Sequence, residues 1–266
     1  MKRTTEVLTL TAIVLALSGG PLVAQGDPVK PELITKWSQW VDMDNGHSIV
    51  SHHNITTLLS TIVPSVAADD WRCLDGRPVT DFHWWGSYEA GSPGALGAFR
   101  LLIQADIPAD DCHPSHPGEL RWSGGGTMTQ VEEVFFGTHA DGTEVYQYNL
   151  VIDDPQDWFY PERNEIYWLS ITALSFDLTT DPEDTVVWAW RTALRPTPEN
   201  GLDASVRMIN HNYATGEYEY WGSLYDEGCN IQMAFELSTV PEPASIALVG
   251  TAALVALGVV RRRKLN

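Results

Sequence analysis

The sequence predicts an all-β protein, an antiparallel β-sandwich of the jelly-roll type, flanked by an N-terminal signal peptide and a C-terminal transmembrane helix. Three observations predict the sandwich. Short runs alternate apolar and polar residues with period two and are rich in aromatic and β-branched side chains. Turn signals punctuate those runs: Asp75-Gly76, Pro117-Gly118, Gly124-Gly125-Gly126, Asp141-Gly142, Asn200-Gly201 and Thr215-Gly216. No long amphipathic helix competes, apart from a short candidate around Asn54 to Ile62. Many short strands in a chain of this length favour two packed sheets.

In chain order, Lys2 and Arg3 precede an apolar run from Val7 to Leu17. Ser18-Gly19-Gly20-Pro21 breaks it, and Ala24 offers a small residue for cleavage, so residues 1–24 read as a secretory signal peptide. Residues 25–35, with Pro28 and Pro31, form an extended lead-in. The sandwich is expected over residues 36–238. Phe99, Leu101 and Ile103 share one face of a strand. Glu165 to Ala173 is apolar on both faces and reads as a central strand. Trp188 and Trp190 share a side, and Tyr218 to Trp221 and Gln232 to Leu237 alternate again.

The segment left between the two ends is strongly acidic. Six of the 16 basic residues and one of the 35 acidic ones lie outside Gln25–Pro243, which leaves 10 against 34 within it, a net charge of −24. Such a surface repels nucleic acid. It attracts cations, with calcium as the candidate cofactor, although solubility is the plainer reason for the charge. Disorder is not expected, because eleven tryptophans supply large areas for burial. Cys73, Cys112 and Cys229 would meet an oxidising compartment after export, so one disulfide and one free thiol fit. Three pairings exist, and Cys73 with Cys112 is the favoured one; reduced, buried thiols are the alternative.

Residues 239–266 have a different logic. Pro241-Glu242-Pro243 is stiff and cannot continue a helix. Residues 245–260 are apolar or small throughout, and Arg261, Arg262, Arg263 and Lys264 follow. As a helix the apolar stretch spans about 24 Å. That is slightly short of a hydrocarbon core of about 30 Å, a gap that snorkelling basic side chains close. Those cations favour the cytoplasmic side, leaving the rest of the chain outside. This tail resembles the PEP-CTERM sorting signal of Gram-negative bacteria in motif, spacing and basic end. The resemblance implies recognition by an exosortase, a membrane transpeptidase that cuts near the motif, and a link to exopolysaccharide and biofilm matrix.

The densest internal signature is Val66 to Cys73 with Pro78 to Tyr88, followed by His116-Pro117-Gly118-Glu119 and Glu165 to Ser170. With Lys36-Trp37-Ser38-Gln39 it resembles an uncharacterised domain of secreted bacterial and archaeal proteins, and no activity comes with that resemblance. Asp69 and Asp70 are expected just before a strand that enters at Trp71. In Phe82-His-Trp-Trp85, Phe82 and Trp84 share one face and His83 and Trp85 the other, so one tryptophan belongs to the core and the other lies nearer the surface. Trp85, His83 and Asp70 are therefore the candidate ligand-binding residues, with Trp85 placed to stack on a sugar ring.

Catalytic signatures are weak. There is no Gly-x-Ser-x-Gly elbow, zinc-binding His-Glu-x-x-His or phosphate loop. Cys112-His113-Pro-Ser-His116 lacks a second half-site for zinc. His52-His53 reads as a solvated pair, and Asp42-Met-Asp-Asn-Gly46 as a hairpin turn rather than a calcium loop. No catalytic residue is assigned and the metal set is left open. The leading reading is a non-enzymatic surface or matrix protein processed by an exosortase. A carbohydrate-binding module and a secreted glycoside hydrolase are the alternatives.

Overall fold

The computed structural model describes residues 33–54, 65–90, 96–175, 186–194, 205–212, 217–226 and 229–240. The signal peptide, the candidate helix beyond Asn54, the Asn200-Gly201 and Thr215-Gly216 turns and the sorting tail from Pro241 lie outside them. The strands are β1 (Ile34–Gln39), β2 (Ser48–Val50), β3 (His52–Asn54), β4 (Ala67–Arg72), β5 (Asp81–Ala90) and β6 (Ala98–Ile107). Then come β7 (His116–Thr127), β8 (Glu132–Thr138), β9 (Glu144–Val151), β10 (Ile166–Ser175) and β11 (Val187–Arg191). Last are β12 (Val206–Asn212), β13 (Glu217–Ser223), β14 (Tyr225–Asp226), β15 (Cys229–Asn230) and β16 (Phe235–Thr239).

They form two seven-stranded sheets and a small β14–β15 ribbon. The first sheet is organised on β5. One of its edges pairs with β9, which carries β8; its other edge is shared by β16 and β11, which carry β1 and β2. The second sheet runs β13-β12-β4-β10-β6-β7, with β3 also against β10. Among the described strands every pairing is antiparallel except β3 with β10, which is parallel.

The expected alternation is present. Phe99, Leu101 and Ile103 of β6 are buried, as are Trp188 and Trp190 of β11 and Phe235 and Leu237 of β16. Strand β10 is buried on both faces over Tyr167–Ala173, the signature of a central strand. The sheets are joined through aromatic rings. Phe99 from the second sheet lies 5.0 Å from Trp84, 5.0 Å from Trp188 and 4.8 Å from Tyr148, all three on the first.

Several expectations are corrected. Pro117-Gly118 and Gly124-Gly125-Gly126 are not turns; they lie inside β7. Gly125 has φ +148°, and a Cβ there would collide with the Phe99 carbonyl of the neighbouring strand, so close approach explains the glycine. Asp141-Gly142 does turn between β8 and β9, with Gly142 at φ +92°. Asp69 and Asp70 do not precede a strand but sit within β4, both fully buried. His52 is not solvated: it is 1% exposed, and its Nε2 lies 3.0 Å from Ser175 Oγ. Burial, with His53 adding, lowers its pKa to about 4, so it is neutral.

The Cys73–Cys112 bond is not formed; both are free thiols. Cys73 follows β4, while Cys112 lies in the exposed loop between β6 and β7. Strand β10 runs between β4 and β6. Cys73 is buried with its thiol turned to the Asp75 carbonyl, while Cys112 stands exposed on its loop, so the two sulfurs do not meet.

Candidate functional site

The three candidate ligand residues are not brought together. Asp70 belongs to β4 of the second sheet, and His83 and Trp85 belong to β5 of the first. His83 is half-buried and its Nδ1 lies 2.7 Å from Asn149 Oδ1 across the strand pair. Trp85, expected near the surface, is 1% exposed. The face assignment holds, but that face is covered: Val41, Val145, Ala193, Ala234 and Met43 pack around the indole. Trp40 and Phe136 then lean on it at 5.3 and 5.8 Å. Trp85 is thus the floor of a second, outer cluster and cannot itself stack on a sugar.

Asp69 faces the core between Ala67 and Trp71. Its Oδ2 accepts the Met233 amide at 2.7 Å, and its Oδ1 accepts the Asp70 amide at 3.1 Å. The Gln39 side-chain amide, oriented to satisfy its neighbours, donates to Asp69 Oδ2 at 2.8 Å and to the Met233 carbonyl at 2.6 Å. Burial first, and the Asp70 carboxyl second, push the Asp69 pKa well above the usual carboxylate range. The carboxyl ties β4 to the chain entering β16 and to the end of β1, which is a structural task.

A site of another kind lies at one end of the second sheet. An open cleft of about 600 Å³ is bounded by the end of β6, the middle of β7, the start of β10, and the long connection from β9 to β10. Its rings come chiefly from the run Trp158-Phe159-Tyr160. Phe159 is buried, anchored by Tyr167 at 5.1 Å and Trp71 at 6.4 Å. Alternation then sends its neighbours outward. Trp158 is half-buried and Tyr160 is 58% exposed, their centroids 6.4 Å apart.

Polar contacts fix these rings. Trp158 Nε1 donates to the Ile152 carbonyl at 2.6 Å, and the Tyr160 hydroxyl to the Pro155 carbonyl at 3.2 Å. Opposite stands Trp122, stacked on Phe82 at 5.0 Å and 15°, with its Nε1 donating to the Asp157 carbonyl at 2.7 Å. Arg121, Asp106, Glu162 and Glu165 add charge to the lining. Asp106 Oδ1 accepts from Trp168 Nε1 at 2.8 Å and from Ser115 Oγ at 2.6 Å.

The sequence signal for this cleft was a run of three aromatic residues bounded by Pro155 and Pro161 in an acidic stretch. A loop has no need of consecutive aromatic rings unless it packs them or presents them.

No group of three or more His, Cys, Asp or Glu side chains converges among the described residues in a way that could hold a metal ion. The Asp42–Gly46 segment is a turn: Asp42 Oδ1 accepts the amides of Asp44 and Asn45 at 3.0 and 2.9 Å. Asp110 closes the loop before His113 in the same way, accepting the Cys112 amide at 2.7 Å and the His113 amide at 2.8 Å.

A secreted-type β-sandwich ending in a sorting signal is the class these features define. Residues 239–264 match the PEP-CTERM protein-sorting motif, which makes this an exosortase-sorted, exported protein with a membrane-anchored precursor. Residues 35–238 match a domain of unknown function, DUF7901, and the chain belongs to that family. A search of curated proteins finds no match.

Proposed function

We propose that the chain is a non-catalytic protein of the cell surface or extracellular matrix, and that its cleft binds exopolysaccharide of the biofilm. The observation that carries this reading is the exposed Tyr160 ring beside Trp158 at the rim of an open cleft of about 600 Å³. Sugar rings present faces of C–H groups that pack on flat aromatic surfaces, while hydroxyls reach nearby polar groups. Arg121, Glu162 and Glu165 supply donors and acceptors beside those rings. An open cleft also admits the interior of a polymer, where a closed pocket would accept only its end.

The test is retention of the processed chain on insoluble polysaccharides and on the producer's own matrix. The wild type is expected to be retained. Tyr160→Ala and Trp158→Ala are each expected to lose about 1 kcal/mol, roughly fivefold in affinity. Absence of wild-type retention on every polymer would leave a passive structural cargo and end the binding proposal. Sorting is tested separately. Alanine at Pro241, Glu242 and Pro243 is expected to leave uncut precursor in the membrane, and normal processing of that variant would remove the motif's role.

A further inference from the structure

Strand β8 is the outermost strand on its side of the first sheet; among the described residues it pairs with β9 alone. Among those residues its other edge is an unpaired row of backbone donors and acceptors. Such edges are normally guarded by projecting charges. Strand β8 has two carboxylates, but both are drawn back over their own sheet. Glu132 Oε2 accepts from Asn149 Nδ2 at 3.2 Å, and Glu133 Oε2 from the Tyr88 hydroxyl at 2.5 Å. The next three residues are apolar and open: Val134 is 42% exposed, Phe135 55% and Phe136 38%. Through Trp85 the apolar surface continues to Trp40, itself 53% exposed. Val134 and Phe136 lie on the outer face, beside Trp85, and Phe135 on the face of Tyr146, so the edge carries exposed apolar side chains on both of its faces.

We infer that β8 is a homotypic docking edge, pairing antiparallel with β8 of a second copy of this chain across a two-fold axis. The occupant follows from the order of side chains. In an antiparallel register centred on Phe135, Phe135 faces Phe135 and Val134 faces Phe136. Glu133 then faces Gly137, and Glu132 faces Thr138, so no two carboxylates oppose. A parallel arrangement would set Glu132 against Glu132, which is destabilising. A two-fold interface requires this kind of self-complementarity.

The register with β9 shifts between Phe135 and Gly137. That bulge bends β8 and keeps the new ladder to a few residues, so apolar contact carries the association. Two strongly acidic copies repel at long range. Salt screens that repulsion within about 8 Å at physiological strength. Association is therefore strengthened by salt, the reverse of an ion-paired interface.

The experiment is sedimentation of the full-length chain in detergent over a range of protein concentrations, at low and high salt. The expected result is a dimer whose population rises with both. Phe135→Lys, which sets lysine against lysine, is expected to weaken the dimer by about tenfold or more while the variant keeps the β-rich circular dichroism of the wild type. Leu120→Lys, on β7 of the other sheet, leaves it intact. A monomer under all conditions overturns the inference. So does a dimer that survives Phe135→Lys, as one held by the membrane tail would. Should Phe135→Lys fail to fold, amide exchange of the wild type decides: residues 132–138 exchange more slowly at high protein concentration, and equal exchange overturns the proposal.

Discussion

Replacing Phe99 with alanine is expected to lower the stability of the sandwich by about 3–5 kcal/mol. Phe99 is 2% exposed and is the ring from the second sheet that meets Trp84, Tyr148 and Trp188 of the first. Truncation removes its transfer free energy and leaves a void between large, stiff indoles that collapse poorly. It also removes three ring contacts, each worth about 0.5–1.5 kcal/mol beyond area burial. Phe99→Leu should cost clearly less, because most of the volume remains. Denaturant unfolding of both variants checks this. Equal midpoints for wild type and Phe99→Ala would mean that the two sheets are held together elsewhere.

The second large effect is a dependence on pH. The Asp69 carboxyl is buried beside Asp70, and its pKa in the fold is raised above the unfolded value of about 3.9. The native state therefore keeps a proton that the unfolded chain gives up. The stability this contributes is fully present below about pH 4. It is lost as pH rises toward the folded pKa, at up to about 1.4 kcal/mol per pH unit. Asp69→Asn has no proton to lose. Its carbonyl oxygen can still accept the Met233 amide, but its NH2 group cannot accept the Asp70 amide. The variant is thus expected to be the less stable at pH 4 and to gain on the parent as pH rises to 7. Chemical denaturation at several pH values checks this, and a stability difference that is flat with pH would show that Asp69 does not titrate.

What the sequence made legible was local. Period-two patterning located β6, β11 and β16, a run apolar on both faces located β10, and alternation set Phe82 and Trp84 apart from His83 and Trp85 correctly. It did not show that the second face of β5 is also covered. The covering residues, Val41, Met43, Ala193 and Ala234, come from distant chain segments, and no local pattern encodes them. The aspartates of β4 failed for the same reason. Acidic residues normally mark strand ends, and these are kept inside the strand by partners such as Gln39 and Met233, far along the chain. The glycines of β7 were read as turn formers because turns are their commonest use. At Gly125 the reason is the closeness of the Phe99 carbonyl, which only the paired strand reveals. The cleft was missed because its Trp158 and Tyr160 rings lie in a connection, outside the strands that the patterning marked.

The pairing of the first strand with the last bears on the timing of export. β1 pairs only with β16 among the described strands, Ile34 facing Thr239, and β16 in turn bridges to β5. A chain leaving the secretion channel N-terminus first must hold β1 without its partner until nearly all of the domain has emerged. Closure then comes almost at the sorting motif itself. The Val240 amide is still fastened to Thr80 Oγ1 at 3.0 Å, and Pro241 is the next residue. No spacer separates the sandwich from the motif that marks the chain for the exosortase. The enzyme therefore either acts before the last strand is zipped in, or has an active site shallow enough to work against a folded rim.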